Sequence, residues 1–114
     1  MREQTVRTRQ WTRFEYERLI ETGFFQAGDK VELISGQLMV AEPQGSRHAA
    51  TVSLVADALR AAFGSGWYVM AQLPVALDDE SEPEPDVAVV RGAAREYGAA
   101  HPSRPVLVVE VADS

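Results

Sequence analysis

A chain of 114 residues with 46% hydrophobic and 25% charged residues can bury one small core, which excludes a disordered polymer. It contains no cysteine, so disulfides and thiolate metal sites are excluded; carboxylate, imidazole or carbonyl groups would have to hold any metal, and oxygen donors favour Mg, Mn or Ca over zinc. A net charge of −6 with a single lysine, Lys30, argues against a sequence-independent clamp on nucleic acid, although an acidic cluster bridged by cations can still act on a phosphodiester.

Residues 1–10 are polar and read as a flexible arm, with residues 11–114 forming one domain. No apolar stretch follows the charged N-terminus, as a secretory leader would require, and no run approaches the roughly 20 residues of a membrane-spanning helix. A cytoplasmic location and no membrane partner are expected. Thr12 with Glu15 has the spacing of a capping box, and Gly23 ends the helix they begin. Val31-Glu32-Leu33-Ile34, Ser35-Gly36 and Gln37-Leu38-Met39-Val40 read as a hairpin with a two-residue turn. A second helix follows Ser46, with Val52, Val55, Ala56, Leu59 and Phe63 near helical spacing, and Gly64-Ser65-Gly66 stops it.

The period then changes to that of strands. Trp67 to Leu73 is one candidate, with Pro74 to Leu77 continuing or following it, and Asp78 to Glu84 reads as a solvated acidic loop. Asp86 to Val90 and Val106 to Val111 are the most apolar strands. The order is that of an α/β fold with a mixed sheet flanked by helices. Trp11 and Trp67 are assigned to the core.

Val106 to Val111 is apolar at every position but one, so it is expected in the middle of the sheet, covered on both faces. Glu110 interrupts it, and a carboxylate there needs a partner or a cation. If the strand starting at Asp86 pairs antiparallel with the strand ending at Glu110, the two acids meet at one rim of the sheet. Alone they would repel; a divalent cation between them relieves the repulsion and supplies a Lewis acid.

Pro85-Asp86 followed by Glu110-Val111-Ala112 resembles the PD-(D/E)XK signature of the restriction-endonuclease fold. More narrowly, the chain resembles the Uma-two family of restriction endonucleases. The resemblance rests on Trp11-Thr12 with Glu15 and Tyr16, the run Val31 to Leu38, His48, Glu84-Pro85-Asp86-Val87, and the run Pro105 to Val111. It implies a restriction-endonuclease-like core and a metal-dependent endonuclease that hydrolyses DNA with Mg2+ or Mn2+. Asp86, Glu110 and the backbone carbonyl of Val111 would be metal ligands, Glu32 a further catalytic acid, and His48 a weaker accessory. The family's lysine is not found two residues after Glu110, where Ala112 stands. The resemblance implies that it comes from a following helix, so the C-terminal part of the core is expected to be missing here. Lys30, at a hairpin start, has no evident route to the site. An apolar sheet edge left exposed would favour a homodimer.

Each residue also has a plainer reading. Glu110 can reach solvent at a strand end, and Asp86 can cap a strand through a backbone N–H. Glu32 can pair across the hairpin, and His48 can cap or pack a helix. Two rivals to the nuclease follow: a catalytically incomplete interaction domain with the same fold, and a metal-dependent hydrolase of another anionic substrate.

Overall fold

The computed structural model describes residues 4–112, so the first three residues of the expected arm and the last two of the domain lie outside the described residues. Residues 4–12 form neither helix nor strand. Helix α1 (Arg13–Glu21) begins at the capping box read from the sequence: the Thr12 hydroxyl accepts from the Glu15 N–H, and the Glu15 carboxylate accepts from the Thr12 N–H at 2.9 Å. The helix leaves through Gly23 at φ 74, a left-handed conformation that suits glycine. Its buried residue is Tyr16, whose hydroxyl donates to the Val31 carbonyl at 2.8 Å. That bond fixes α1 against the first strand.

Strands β1 (Lys30–Ile34) and β2 (Gln37–Ala41) form the expected antiparallel hairpin, with Ile34 opposite Gln37. Ser35 and Gly36 both have positive φ, 47 and 81, as a type I′ turn demands. Along β1 the alternation is strict: Val31 and Leu33 are buried, while Lys30 and Glu32 face the other way, half-buried. Helix α2 (Ser46–Phe63) begins after Gly45, so Ser46 is its first residue and not its cap.

The second sheet has the order β3 (Trp67–Ala71), β4 (Val87–Arg91), β5 (Leu107–Val109). The α/β class stands, and among the described residues the ladders are antiparallel and not mixed. Val52 and Ala56 of α2 pack on Val69, Val87 and Val89 from one side of the sheet. Met70, Val75, Ala88 and Val90, with Tyr68 and Tyr97, fill the other side. Tyr16, Val31 and Leu33 form a third cluster under the hairpin. Trp11 and Trp67 are half-buried, packed against the hairpin cluster and the helix-side cluster respectively.

Two expectations are corrected. Val106 to Val111 is not the central strand: β5 is the outer strand of its sheet, and Val106, Leu107 and Val108 are 52%, 36% and 48% exposed. The covered strand is β4, because it has a ladder on each edge, α2 on one face and the Val75–Tyr97 layer on the other. Nor is the acidic loop solvated throughout. Ser81 and Glu82 are buried because the segment docks on the hairpin: Glu82 N–H donates to the Leu33 carbonyl at 2.7 Å, Gly36 N–H to the Glu80 carbonyl at 2.8 Å, and Ser35 N–H to the Ser81 hydroxyl at 2.9 Å. This segment joins the two sheets.

Candidate functional site

The ladder between β4 and β5 sets Val87 opposite Val109, so the next pair outward is Asp86 and Glu110. Directly opposed residues of an antiparallel pair share a face, and both acids line one cavity of about 350 Å³. Glu32 reaches that cavity from β1, and His48 and Val111 also line it. The residues singled out from the sequence are therefore brought together by three elements: the hairpin, the β4/β5 ladder and the first turn of α2.

The contacts within the cluster are specific. Asp86 is buried, and its Oδ2 accepts from the Val111 N–H at 2.8 Å. His48, also buried, sets Nε2 3.0 Å from the Val111 carbonyl and 3.4 Å from Asp86 Oδ2. Both atoms accept, so Nε2 carries the proton in this arrangement. Glu32 Oε1 accepts from the Glu84 N–H, which ties β1 to the segment entering β4. Glu110 is held above the ordinary carboxylate range, first by burial and then by the charges of Asp86 and Glu32. Glu84 is raised by burial and by Glu32, with Lys30 acting in the opposite sense. Crowded acids of this kind are what a divalent cation relieves, and their oxygen donors fit Mg2+ or Mn2+.

The reading of Lys30 as having no route to the site is corrected: Lys30 lines this cavity beside Glu32. The period-2 alternation of β1 was the available signal, since it puts both residues on one face. Gln72 and Gln44 form part of the wall, with the Gln72 amide donating to the Gln44 amide oxygen at 2.7 Å. Gln72 has φ 54, unusual for a non-glycine residue. Its N–H donates to the Pro85 and Asp86 carbonyls at 3.2 and 3.1 Å, which fixes the chain where it enters β4. No local pattern marks either glutamine.

A larger cavity, about 510 Å³, lies on the other side of the Glu82–Asp86 segment and is lined by Tyr16, Glu17, Phe25, Glu82 and His101. Glu84 lines both cavities. No helix among the described residues is long and apolar enough to cross a membrane.

A family model named Uma2, described as "Putative restriction endonuclease", matches residues 14–114. No curated protein matches the chain.

Proposed function

The chain belongs to the Uma2 family, described as restriction endonucleases, and on that premise we propose that it hydrolyses DNA phosphodiester bonds at the Glu32–Asp86–Glu110 rim with Mg2+ or Mn2+. One observation carries this reading: three acids from separate elements converge on one cavity that also holds the chain's sole lysine. Asp86 and Glu110 would hold the ion, with the Val111 carbonyl as a further oxygen donor. Bound there, the ion supplies Lewis acidity at the phosphate and neutralises charge between an acidic rim and an anionic substrate.

The protein's own groups divide the remaining work. The Val111 N–H and His48 orient Asp86 through Oδ2. Glu32, tied to the Glu84 N–H, fixes the distance between the hairpin and the β4 entry. Lys30 presents a compact positive charge to a phosphate oxygen or to the attacking water, the role for which the sequence pattern PD-(D/E)XK reserves a lysine. The Gln44–Gln72 pair offers amide donors along the wall to a sugar or phosphate oxygen.

A second reading, a nuclease-fold domain without catalysis, draws support from the Val111 carbonyl, which His48 already engages. Incubation of the whole chain with supercoiled DNA separates the two. Nicking that requires Mg2+ or Mn2+, stops with chelator and disappears in Asp86→Ala supports the nuclease; unchanged nicking in Asp86→Ala overturns the site. Calorimetric silence towards Mn2+, together with intact DNA, favours the second reading.

A further inference from the structure

Glu82 is the buried charge that the nuclease rim does not use. It is 1% exposed, it lines the larger cavity, and its carboxylate oxygens meet no hydrogen-bond donor group among the described residues, their polar neighbour being a second acid, Glu17. An ionisable group left so is costly unless a counter-charge or a ligand meets it. Glu17 and His101 sit beside it: one ligand atom from each of the three residues lies within 4.8 Å of the others. The spacing suits donors arranged around a single ion.

The three donors come from segments that backbone bonds hold in place. Glu17 lies on α1, whose first turn is anchored by Arg13 N–H to the Asp79 carbonyl at 2.6 Å and by Arg13 Nε to the Asp78 carbonyl at 3.1 Å. Glu82 is fixed on both sides by its antiparallel bridge to Leu33. His101 precedes the buried Pro102, whose carbonyl accepts from the Ala76 N–H at 2.8 Å. A site assembled from such segments is preorganised, so little ordering is needed on binding. Arg13 partly offsets the charge through its 3.2 Å contact with Glu17, but it approaches Glu17 and makes no hydrogen bond to Glu82.

We propose that Glu17, Glu82 and His101 form a second cation site, structural in role and separate from the Glu32–Asp86–Glu110 rim, which takes a borderline divalent ion of the Zn2+ class. Two carboxylates and an imidazole make a mixed oxygen and nitrogen donor set, which suits Zn2+ or Co2+ better than Mg2+ or Ca2+. Bound there, the ion ties α1 to the Glu82 segment and to the loop bearing His101, three pieces that no strand ladder joins.

The test uses the whole, untagged chain carrying Asp86→Asn, so that the rim is weakened and the outcome does not depend on nuclease activity. Co2+ is titrated as a visible probe, and Zn2+ is then added in competition. One equivalent of Co2+ with visible d–d absorption, displaced by Zn2+, is expected. Adding His101→Ala or Glu82→Gln should weaken binding at least about tenfold, and Zn2+ should raise the melting temperature of the parent but not of the His101→Ala protein. His101 is exposed, so its replacement keeps the test open should Glu82→Gln not fold. Absorption that survives both replacements overturns the proposal. So does the absence of any Co2+ or Zn2+ binding up to millimolar concentration. Loss of metal-dependent nicking elsewhere leaves this result untouched, which keeps the two sites distinguishable.

Discussion

Two acidic clusters stand on either side of one short segment, Glu82 to Asp86, and they are built differently. On the rim, Asp86 and Glu32 each accept a backbone N–H, and Lys30 shares the cavity. On the far side, Glu82 is more deeply buried and accepts no hydrogen bond among the described residues. The Glu-Pro-Glu-Pro-Asp run, Glu82 to Asp86, thus supplies acids to two cavities. An acid buried without a backbone donor is pushed towards its neutral form. Glu82 is accordingly pushed up to about 7, by burial first and then by Glu17.

The sharpest way to break the comparison is at Asp86. Asp86→Ala removes the acid that Val111 and His48 orient, and metal-dependent nicking should fall by at least about 100-fold; a gel assay of plasmid conversion checks it. Lys30→Ala should lower the same rate by about 10- to 100-fold, with Lys30→Arg recovering part of it. A Lys30→Ala protein as fast as the parent would remove lysine from the rim.

The next effect falls on stability. Glu82 binds its proton more tightly folded than unfolded, so its contribution is complete below the ordinary carboxylate value and is lost as pH rises through about 7. In chelator, urea denaturation should therefore show stability falling by about 2–3 kcal/mol between pH 4.5 and 7 from this group, with Glu110 and Glu84 acting in the same sense. Glu82→Gln should flatten that slope, and a slope unchanged in Glu82→Gln would assign it to other groups. The smallest effect is at Thr12: Thr12→Ala breaks the capping box that starts the helix bearing Glu17 and should cost about 1 kcal/mol, measured by the same denaturation, with nicking unaffected.

Much of the fold was legible because its signals close over a few residues. Thr12 and Glu15 meet within one helical turn, Ser35-Gly36 sets the hairpin register, and Gly64 stops α2. The pairing of Asp86 with Glu110 also followed, since only one register of two antiparallel strands brings a strand start beside a strand end. Lys30 was readable in principle from the alternation along β1, but the direction of that face depends on where the hairpin docks.

The sequence by itself determined most of the elements, the capping box of α1, the hairpin turn and the opposition of Asp86 to Glu110, because these depend on backbone dihedrals and on periods of 2 and 3.6 residues. Tertiary structure alone decided burial. The runs Val87 to Val90 and Val106 to Val109 have nearly the same hydropathy, yet one is buried and the other lies at the sheet's outer edge. It decided as well that Glu82, inside a run that looks solvated, would be covered by the hairpin it pairs with. Solvent exclusion at a residue depends on what packs above it, and that is set by segments distant in the chain.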